Sequence, residues 1–311
     1  CLESRRSANR DMSHAPDHDH SHAHSQRHFW LGFAITLSFA AVEAAGGLMS
    51  HSLALLGDAG HMATDSAALV LAGFAGLVAQ RPASERHSYG LGRVEVIAAL
   101  VNTLLMFAIA AGLVVEALAR LRHPPEVHAP VVAFIGAAGI AVNILIYRVI
   151  ERGHATLNVR ASLLHVLGDM LGSAAACVAG VVIWWTGWLP VDPLLSLFIA
   201  ALIVLSAVKL LRDAGQVLLE GVPTDLDLAE IGGSMAGIEG VGSIHDLHVW
   251  CVSSDEVALS AHVVIEDISL WEAVYQGLRS HLHDAYGIEH ITLQPEPRIK
   301  ARISIEKITR R

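Results

Sequence analysis

The chain has 311 residues, of which 53% are hydrophobic and only 16% are charged, and its mean hydropathy is +0.49. Soluble domains carry about 25% charged residues. This deficit, together with apolar runs of membrane-spanning length, places the chain in a lipid bilayer. The net charge is −9 with histidines neutral, and most of the acidic residues lie in the C-terminal part, so no nucleic-acid-binding surface is predicted. Three scattered cysteines, Cys1, Cys177 and Cys251, indicate neither a disulfide framework nor a Cys-type zinc site.

The segment before the first apolar run is polar and rich in histidine. Residues 1–28 are expected to form a disordered cytoplasmic tail. Its second half interleaves aspartates with a histidine cluster made of His14, His18, His20, His22, His24 and His28. This composition predicts a weak metal-binding tract that captures or buffers metal. An inert solvated tail is the alternative interpretation.

Six apolar runs of about 20 residues or more predict six membrane-spanning helices, because a bilayer core requires that length. They cover residues 29–49, 53–79, 93–119, 130–150, 160–186 and 191–211. Residues 29–213 are therefore predicted to be an all-α, six-helix transmembrane domain. Arginine and lysine concentrate in the loops on the same side as the N-terminus, which predicts that both termini lie in the cytoplasm.

The pattern changes after the last apolar run. Residues 225–238 and 269–286 look helical, and 244–250, 257–265 and 289–294 look like short strands bounded by turn residues. Residues 214–298 are thus predicted to form a small α+β domain behind the membrane domain. A basic tail over 299–311 is expected to follow it.

Two of the predicted spans carry a histidine and an aspartate four residues apart, His61 with Asp65 and His165 with Asp169. That spacing places both side chains of a pair on one helix face. Ionisable groups in a membrane span are energetically costly and indicate function. Two imidazoles and two carboxylates complete a tetrahedral zinc site if the two helices pack together. Alternatively, each histidine hydrogen-bonds a neighbouring helix and each aspartate caps a kink.

Two further acidic residues, Glu43 and Asp58, also lie within predicted spans. Asp58 precedes His61 by about one helical turn. Both residues are candidates for orienting the metal ligands or for relaying protons. They are weaker candidates for metal binding than the two histidine–aspartate pairs.

Over about residues 29–298 the chain resembles the cation diffusion facilitators, specifically the zinc-type members. The resemblance rests on SLALLGDAGHMATD at 52–65, RHSYGLGRVE at 86–95, LLEGVP at 218–223, HDLHVW at 245–250 and HITLQ at 290–294. It implies a homodimeric metal/proton antiporter with six spans and a ferredoxin-like cytoplasmic domain. Such a protein exports Zn²⁺, Cd²⁺ or Co²⁺ across the bacterial inner membrane by alternating access, is not an enzyme and needs no cofactor.

The family's transport site matches His61, Asp65, His165 and Asp169 residue by residue. The resemblance also implies a metal site in the cytoplasmic domain at His245, His262 and Glu296, for a structural or regulatory Zn²⁺. Solvated strand-end histidines are the alternative there. A loop site that some members have after the second span is expected to be absent, because Ser84 and Leu91 stand beside His87 where its other ligands would be.

Two other classes of function are alternatives to a transporter. A membrane metalloenzyme such as an intramembrane protease needs an open metal position and a general base, and no His-Glu-x-x-His motif is present. A membrane-tethered metal sensor would bind zinc without transporting it, so a flux measurement separates it from a transporter.

Overall fold

The computed structural model describes residues 19–151, 157–253 and 256–298, and within them the side chains of 33–148, of 163 and from 166 onward. The chain divides between Gly215 and Gln216 into two compact units. The first unit is helical. The second contains a three-stranded sheet with helices.

The helical unit consists of α1 Asp19–Ser50, α2 Leu53–Ala79, α3 Val94–Arg122, α4 Ala129–Glu151, α5 Leu157–Thr186 and α6 Val191–Leu218. Each contains a segment long and apolar enough to cross a membrane, so six such helices lie in the part of the chain that is described. The prediction of six spans is confirmed. Most predicted boundaries differ from these bounds by a few residues.

The largest difference lies at the N-terminus, where α1 begins at Asp19 rather than near residue 29. The helix therefore includes His20, His22, His24 and His28, which the sequence had placed in a disordered tail. Extending an existing helix fixes few further dihedral angles for each hydrogen bond gained, so the polar segment continues the helix of the span. His14 and His18 lie outside the described residues.

Close packing joins α4 to α5, and glycine makes it possible. A Cβ added at Gly136 would meet the backbone nitrogen and Cα of Cys177, and one added at Gly180 would meet the backbone of Ala133. Small residues let two helices approach closely where the bilayer supplies no hydrophobic driving force. This contact fixes the position of α5, which carries His165 and Asp169.

The second unit has helices α7 Leu228–Ala236 and α8 Trp271–Tyr286, and strands β1 Val241–Cys251, β2 Val257–Ile265 and β3 His290–Pro297. The sheet order is β1-β2-β3, with β1 antiparallel and β3 parallel to β2. β2 is buried along most of its length because it is the central strand. Its apolar side chains pack against Ile231, Met235, Leu278 and Leu282 of the two helices. This arrangement is consistent with a ferredoxin-like domain, as predicted.

Candidate metal centres

His61 and Asp65 lie on α2, whose start is fixed by polar contacts. Ser52 caps the helix: its hydroxyl accepts a hydrogen bond from the Leu55 backbone nitrogen, at 3.3 Å. The helix then runs unbroken to Ala79. Since residues four apart share a helix face, His61 and Asp65 point to the same side. Their imidazole Nδ1 and carboxylate Oδ2 are 3.5 Å apart.

The structure brings Asp169 of α5 to the same place. Its Oδ1 lies 3.8 Å from His61 Nε2, and one ligand atom from each of His61, Asp65 and Asp169 lies within 4.8 Å of the others. His61 and Asp169 are buried, at 9% and 6% exposure. His165 lies one turn before Asp169 on α5, and its side chain is outside the described set. Nitrogen and oxygen donors gathered this closely can hold a divalent cation.

Asp192, at the start of α6, is a buried acidic residue that the sequence analysis did not single out. Its Oδ1 accepts hydrogen bonds from Ser52 Oγ at 2.5 Å and from the Ala54 nitrogen at 3.3 Å, and its Oδ2 accepts one from the Leu53 nitrogen at 2.7 Å. A carboxylate at a helix N-terminus satisfies backbone donors that have no partner within the helix. Asp192 thus fastens the first turn of α2, the helix that carries His61 and Asp65, to α6. An aspartate directly before a proline at the start of an apolar run was the only signal in the sequence.

A second group of buried polar side chains lies one helical turn from the metal ligands. Glu43 of α1, Asp58 of α2, Asn143 of α4 and Ser173 of α5 are each at most 1% exposed. Ser173 Oγ donates to Asp58 Oδ2 at 2.8 Å, and Asn143 Nδ2 donates to Ser173 Oγ at 3.4 Å. Four helices therefore meet through polar groups at this depth of the bundle.

In the sheet domain, His245, His262 and Glu296 converge from three strands. His245 and His262 are cross-strand partners, and Glu296 follows the partner of His262 by two residues along β3, on the same face. Glu296 Oε2 lies 2.9 Å from His245 Nε2, and Oε1 lies 2.9 Å from His262 Nδ1. The hydrogen bond from His245 lowers the pKa of Glu296, and the one from His262 adds to this effect. Two imidazole nitrogens and one carboxylate are ligand types that zinc binds. The carboxylate already lies next to one nitrogen of each imidazole.

Asp246 lies next to this cluster in an irregular stretch of β1. The strand register shifts between His245 and His248, and Asp246 has a positive φ of 50°, which aspartate tolerates better than most residues. Its carboxylate lies 3.1 Å from His248 Nε2 and 3.7 Å from His262 Nε2. His262 is thus flanked by carboxylates at both ring nitrogens. Metal-binding histidines are commonly oriented in this way by a second carboxylate.

The loop histidine, His87, is exposed, and its backbone pairs with that of Ser84. Within the described ranges, clusters with metal-binding spacing form only at His61, Asp65 and Asp169 and at His245, His262 and Glu296.

Six spans, a histidine–aspartate cluster within the bundle and a separate α+β domain define an integral membrane protein that handles divalent cations. Two family models match the chain: the cation efflux transmembrane domain over residues 29–219, and the cation efflux protein cytoplasmic domain over 223–298. The chain belongs to this cation efflux family, which comprises transporters rather than enzymes. The resemblance inferred from the sequence motifs is confirmed.

Three relatives show how far the similarity extends. The zinc transporter ZitB of Escherichia coli (strain K12) is 40% identical over 293 residues, which covers 93% of this chain and 92% of ZitB. The cadmium, cobalt and zinc/H(+)-K(+) antiporter of Bacillus velezensis is 38% identical, over 90% of this chain and 91% of the relative. The metal cation efflux system protein CzcD of Cupriavidus metallidurans is 36% identical, over 91% and 89%.

Proposed function

We propose that this protein exports Zn²⁺ from the cytoplasm in exchange for protons, by alternating access at His61, Asp65, His165 and Asp169. The observation that carries the proposal is the convergence of His61 and Asp65 on α2 with Asp169 on α5. His165 is included because it stands one turn before Asp169 on α5. The names of the relatives, a zinc transporter and a zinc/H(+) antiporter among them, support the same metal and the same counter-ion.

The mixed donor set suits zinc. Two imidazole nitrogens and two carboxylate oxygens match the ligands and the tetrahedral geometry that zinc prefers. Cadmium and cobalt accept the same donors, since raw affinity separates these metals poorly. Cd²⁺ and Co²⁺ are therefore included as substrates.

Protons compete with the metal for these ligands. A metal binds to neutral imidazole and ionised carboxylate, so its binding releases protons and its affinity depends on pH. On the outward side, protonation of the ligands releases the metal, and the protonated site returns inward. Histidine suits this role because its charge changes between about pH 5 and 8.

Zinc flux into liposomes containing the purified full chain tests the proposal. A liposome interior more acidic than the medium should drive zinc uptake, because protons leave as zinc enters. Asp65→Ala and Asp169→Ala should abolish this uptake. Glu116→Ala is a matched control, because it removes an exposed carboxylate from a different span, α3. Flux that persists in either aspartate variant contradicts the site, and flux indifferent to the gradient contradicts the antiport.

We also propose that His245, His262 and Glu296 hold a resident zinc ion in the cytoplasmic domain. It would stiffen a homodimer and respond to cytoplasmic zinc. The 2.9 Å contacts of Glu296 with both histidines support this assignment. In equilibrium dialysis, the Asp169→Ala protein should bind one zinc per protomer more than the same protein with an additional His262→Ala change.

The orientation is proposed from charge. Arg81, Arg86 and Arg93 lie between α2 and α3, Arg148 lies near the end of α4, and Arg212 lies near the end of α6. The excess of arginine at these helix ends favours the cytoplasm, with the protein in the bacterial inner membrane and both termini inside. Labelling of single cysteines in the 81–93 loop by a membrane-impermeant reagent should then occur only in inverted vesicles.

A further inference from the structure

The buried polar cluster beside the metal ligands contains more carboxylate oxygens than hydrogen-bond donors. Ser173 serves one oxygen of Asp58. Asp58 Oδ1 and both carboxylate oxygens of Glu43 receive no N–H or O–H from any side chain or backbone group that the structure describes. Both residues are fully buried. Unpaired charged oxygens are costly to bury, so two ionised carboxylates are unfavourable in this cluster.

The two carboxyl groups lie beside each other, because a Cβ at Gly139 would meet both Glu43 Oε1 and Ser173 Oγ, the hydroxyl that donates to Asp58. This contact brings them within hydrogen-bonding reach. A carboxylate has no hydrogen to donate, so this contact becomes a hydrogen bond only when one of the two groups carries a proton. A shared proton also removes the repulsion between two adjacent negative charges, as in other buried carboxyl pairs. One proton therefore supplies the missing hydrogen bond between the two carboxyl groups and also removes one of their two negative charges.

The space around the pair excludes larger ligands. A Cβ added at Gly172 would overlap Asp58 Oδ1, and one added at Gly139 would lie 2.7 Å from Ser173 Oγ and 3.0 Å from Glu43 Oε1. Helix backbones thus press directly on the carboxyl groups. A proton needs no further space there, whereas a hydrated cation would need room for its water ligands.

The pair is close enough to the metal ligands to respond to metal charge. Asp58 lies about one turn before His61 on α2, and Ser173 lies about one turn after Asp169 on α5. The titratable groups nearby are His61 and Asp65, on the same helix as Asp58, and Asp169 of α5, which interacts electrostatically with both members of the pair; α4 contributes the neutral Asn143. In a medium of low dielectric, a divalent cation among the first three repels a proton nearby.

We propose that Glu43 and Asp58 form a proton-binding site separate from the metal ligands. The pair holds one proton while the transport site is empty of metal and releases it when the metal binds. The reverse occurs when the metal leaves: one proton adds to a carboxylate oxygen of the pair, and its charge falls from −2 to −1. The inference rests on the proposed transport site.

Calorimetry of zinc binding in buffers of different ionisation enthalpy tests this by counting protons released per zinc. The full-length protein carries His262→Ala, so that the proposed cytoplasmic site does not contribute to the count. Glu43→Gln and Asp58→Asn preserve shape and hydrogen bonding but cannot titrate as the acid does. Each should still bind zinc and should release about one proton fewer per zinc. Glu116→Gln, the same change at an exposed position of α3, should leave the count unchanged.

The outcomes separate the two hypotheses. An unchanged proton count in both variants overturns the proton site and leaves the transport site standing. Absence of zinc binding in the parent protein overturns the transport site itself.

A second measurement does not depend on the folding of the amide variants. Infrared difference spectra of the parent protein should show loss of a protonated-carboxyl C=O band when zinc is added. Ser173→Ala should shift that band, because Ser173 donates to Asp58. A spectrum without such a loss, or a band unmoved by Ser173→Ala, overturns the proposal.

Discussion

At the scale of the residue, His61 occupies a distinctive position. Its Nδ1 faces Asp65 on its own helix and its Nε2 faces Asp169 on another. One imidazole therefore connects the two helices that supply the proposed ligands. The type of donor at this position should influence which metal is transported, since nitrogen suits zinc and oxygen suits harder ions.

Replacement of His61 by aspartate exchanges a nitrogen donor for oxygen. We expect His61→Asp to lower zinc flux several-fold and to raise the flux of cadmium or manganese relative to zinc. Competition assays in liposomes, with each metal at equal concentration, measure the ratio. An unaltered metal profile would show that this histidine does not set selectivity.

The pKa of Glu296 leads to a prediction about how zinc binding at the cytoplasmic site depends on pH. Hydrogen bonds from His245, and secondarily from His262, hold its pKa below the ordinary value. The stability that such a group contributes is present above its unfolded pKa and is lost only as pH falls through the lower folded value. Glu296 therefore stays ionised between about pH 5 and 8.

Zinc binding at this cytoplasmic site should weaken as pH falls through that range, with a slope of at most about two protons per zinc. Glu296 supplies none of these protons, because it is ionised throughout that range. Zinc titrations of the Asp169→Ala protein at several pH values give the slope. A slope near three would mean that Glu296 also loses a proton when zinc binds.

At the scale of the element, α2 is held at its N-terminal end by contacts with two other helices, α6 and α3. Asp192 of α6 accepts hydrogen bonds from Ser52, Leu53 and Ala54, and Arg120 of α3 donates to the His51 carbonyl at 2.6 Å. The turn before α2 is thus fastened from two sides, so the helix that carries His61 and Asp65 has a fixed origin.

Removal of the Asp192 carboxylate should loosen this end of α2. Asp192→Ala leaves buried donors without a partner, at a cost of about 1–3 kcal/mol each. We expect a lower melting temperature and reduced zinc flux. Asp192→Asn keeps an acceptor and should recover part of both. Thermal unfolding followed by a fluorescent thiol probe at Cys177, which is partly buried on α5, measures the first effect, and flux measures the second. Equal behaviour of both variants would contradict a role in capping.

Replacement of a glycine by alanine should have opposite effects at the α4–α5 contact and at an open position of α3. Gly180→Ala places a methyl group against the backbone of Ala133 and should lower stability and flux. Gly112→Ala, on α3, meets no atom within 4 Å and should stabilise the helix by about 0.5–1 kcal/mol. Melting temperatures of the two variants give the comparison. A Gly180→Ala protein as stable as Gly112→Ala would contradict the close packing.

At the scale of the whole molecule, the chain consists of two units with separate cores. Membrane helices form one core, and β2 with α7 and α8 forms the other. A ligand that binds only the folded form of one unit stabilises that unit by mass action.

Zinc should therefore act on the two units separately. In the Asp169→Ala protein, zinc at about 100 times Kd should stabilise the cytoplasmic domain by about 2.7 kcal/mol. Calorimetric scans should show one transition moving upward while the other stays. His262→Ala should remove the shift, and a shift that persists in this variant would place the bound zinc elsewhere.

The elements of this protein were largely predictable from its sequence. The length and hydropathy of the six apolar runs predicted the spans, and α2 and β2 have the predicted bounds. The N-terminal end of α1 was not predictable in the same way, because a polar segment continues a helix when an apolar span already forms it. The capping role of Asp192 was not predictable either, because its partners at the start of α2 are more than 130 positions away in the chain.

The sequence by itself determined the six spans, the separate α+β domain, the family and the four-residue spacing of His61 and Asp65 and of His165 and Asp169. These properties follow from local composition, helical period and motif, all of which are read along the chain. Only the tertiary structure decided that Asp169 approaches His61, that Asp192 caps α2, and that Glu43 and Asp58 face each other with too few donors. Those facts depend on distances between different helices, which glycines such as Gly136 and Gly172 allow and which the order of residues along the chain does not specify.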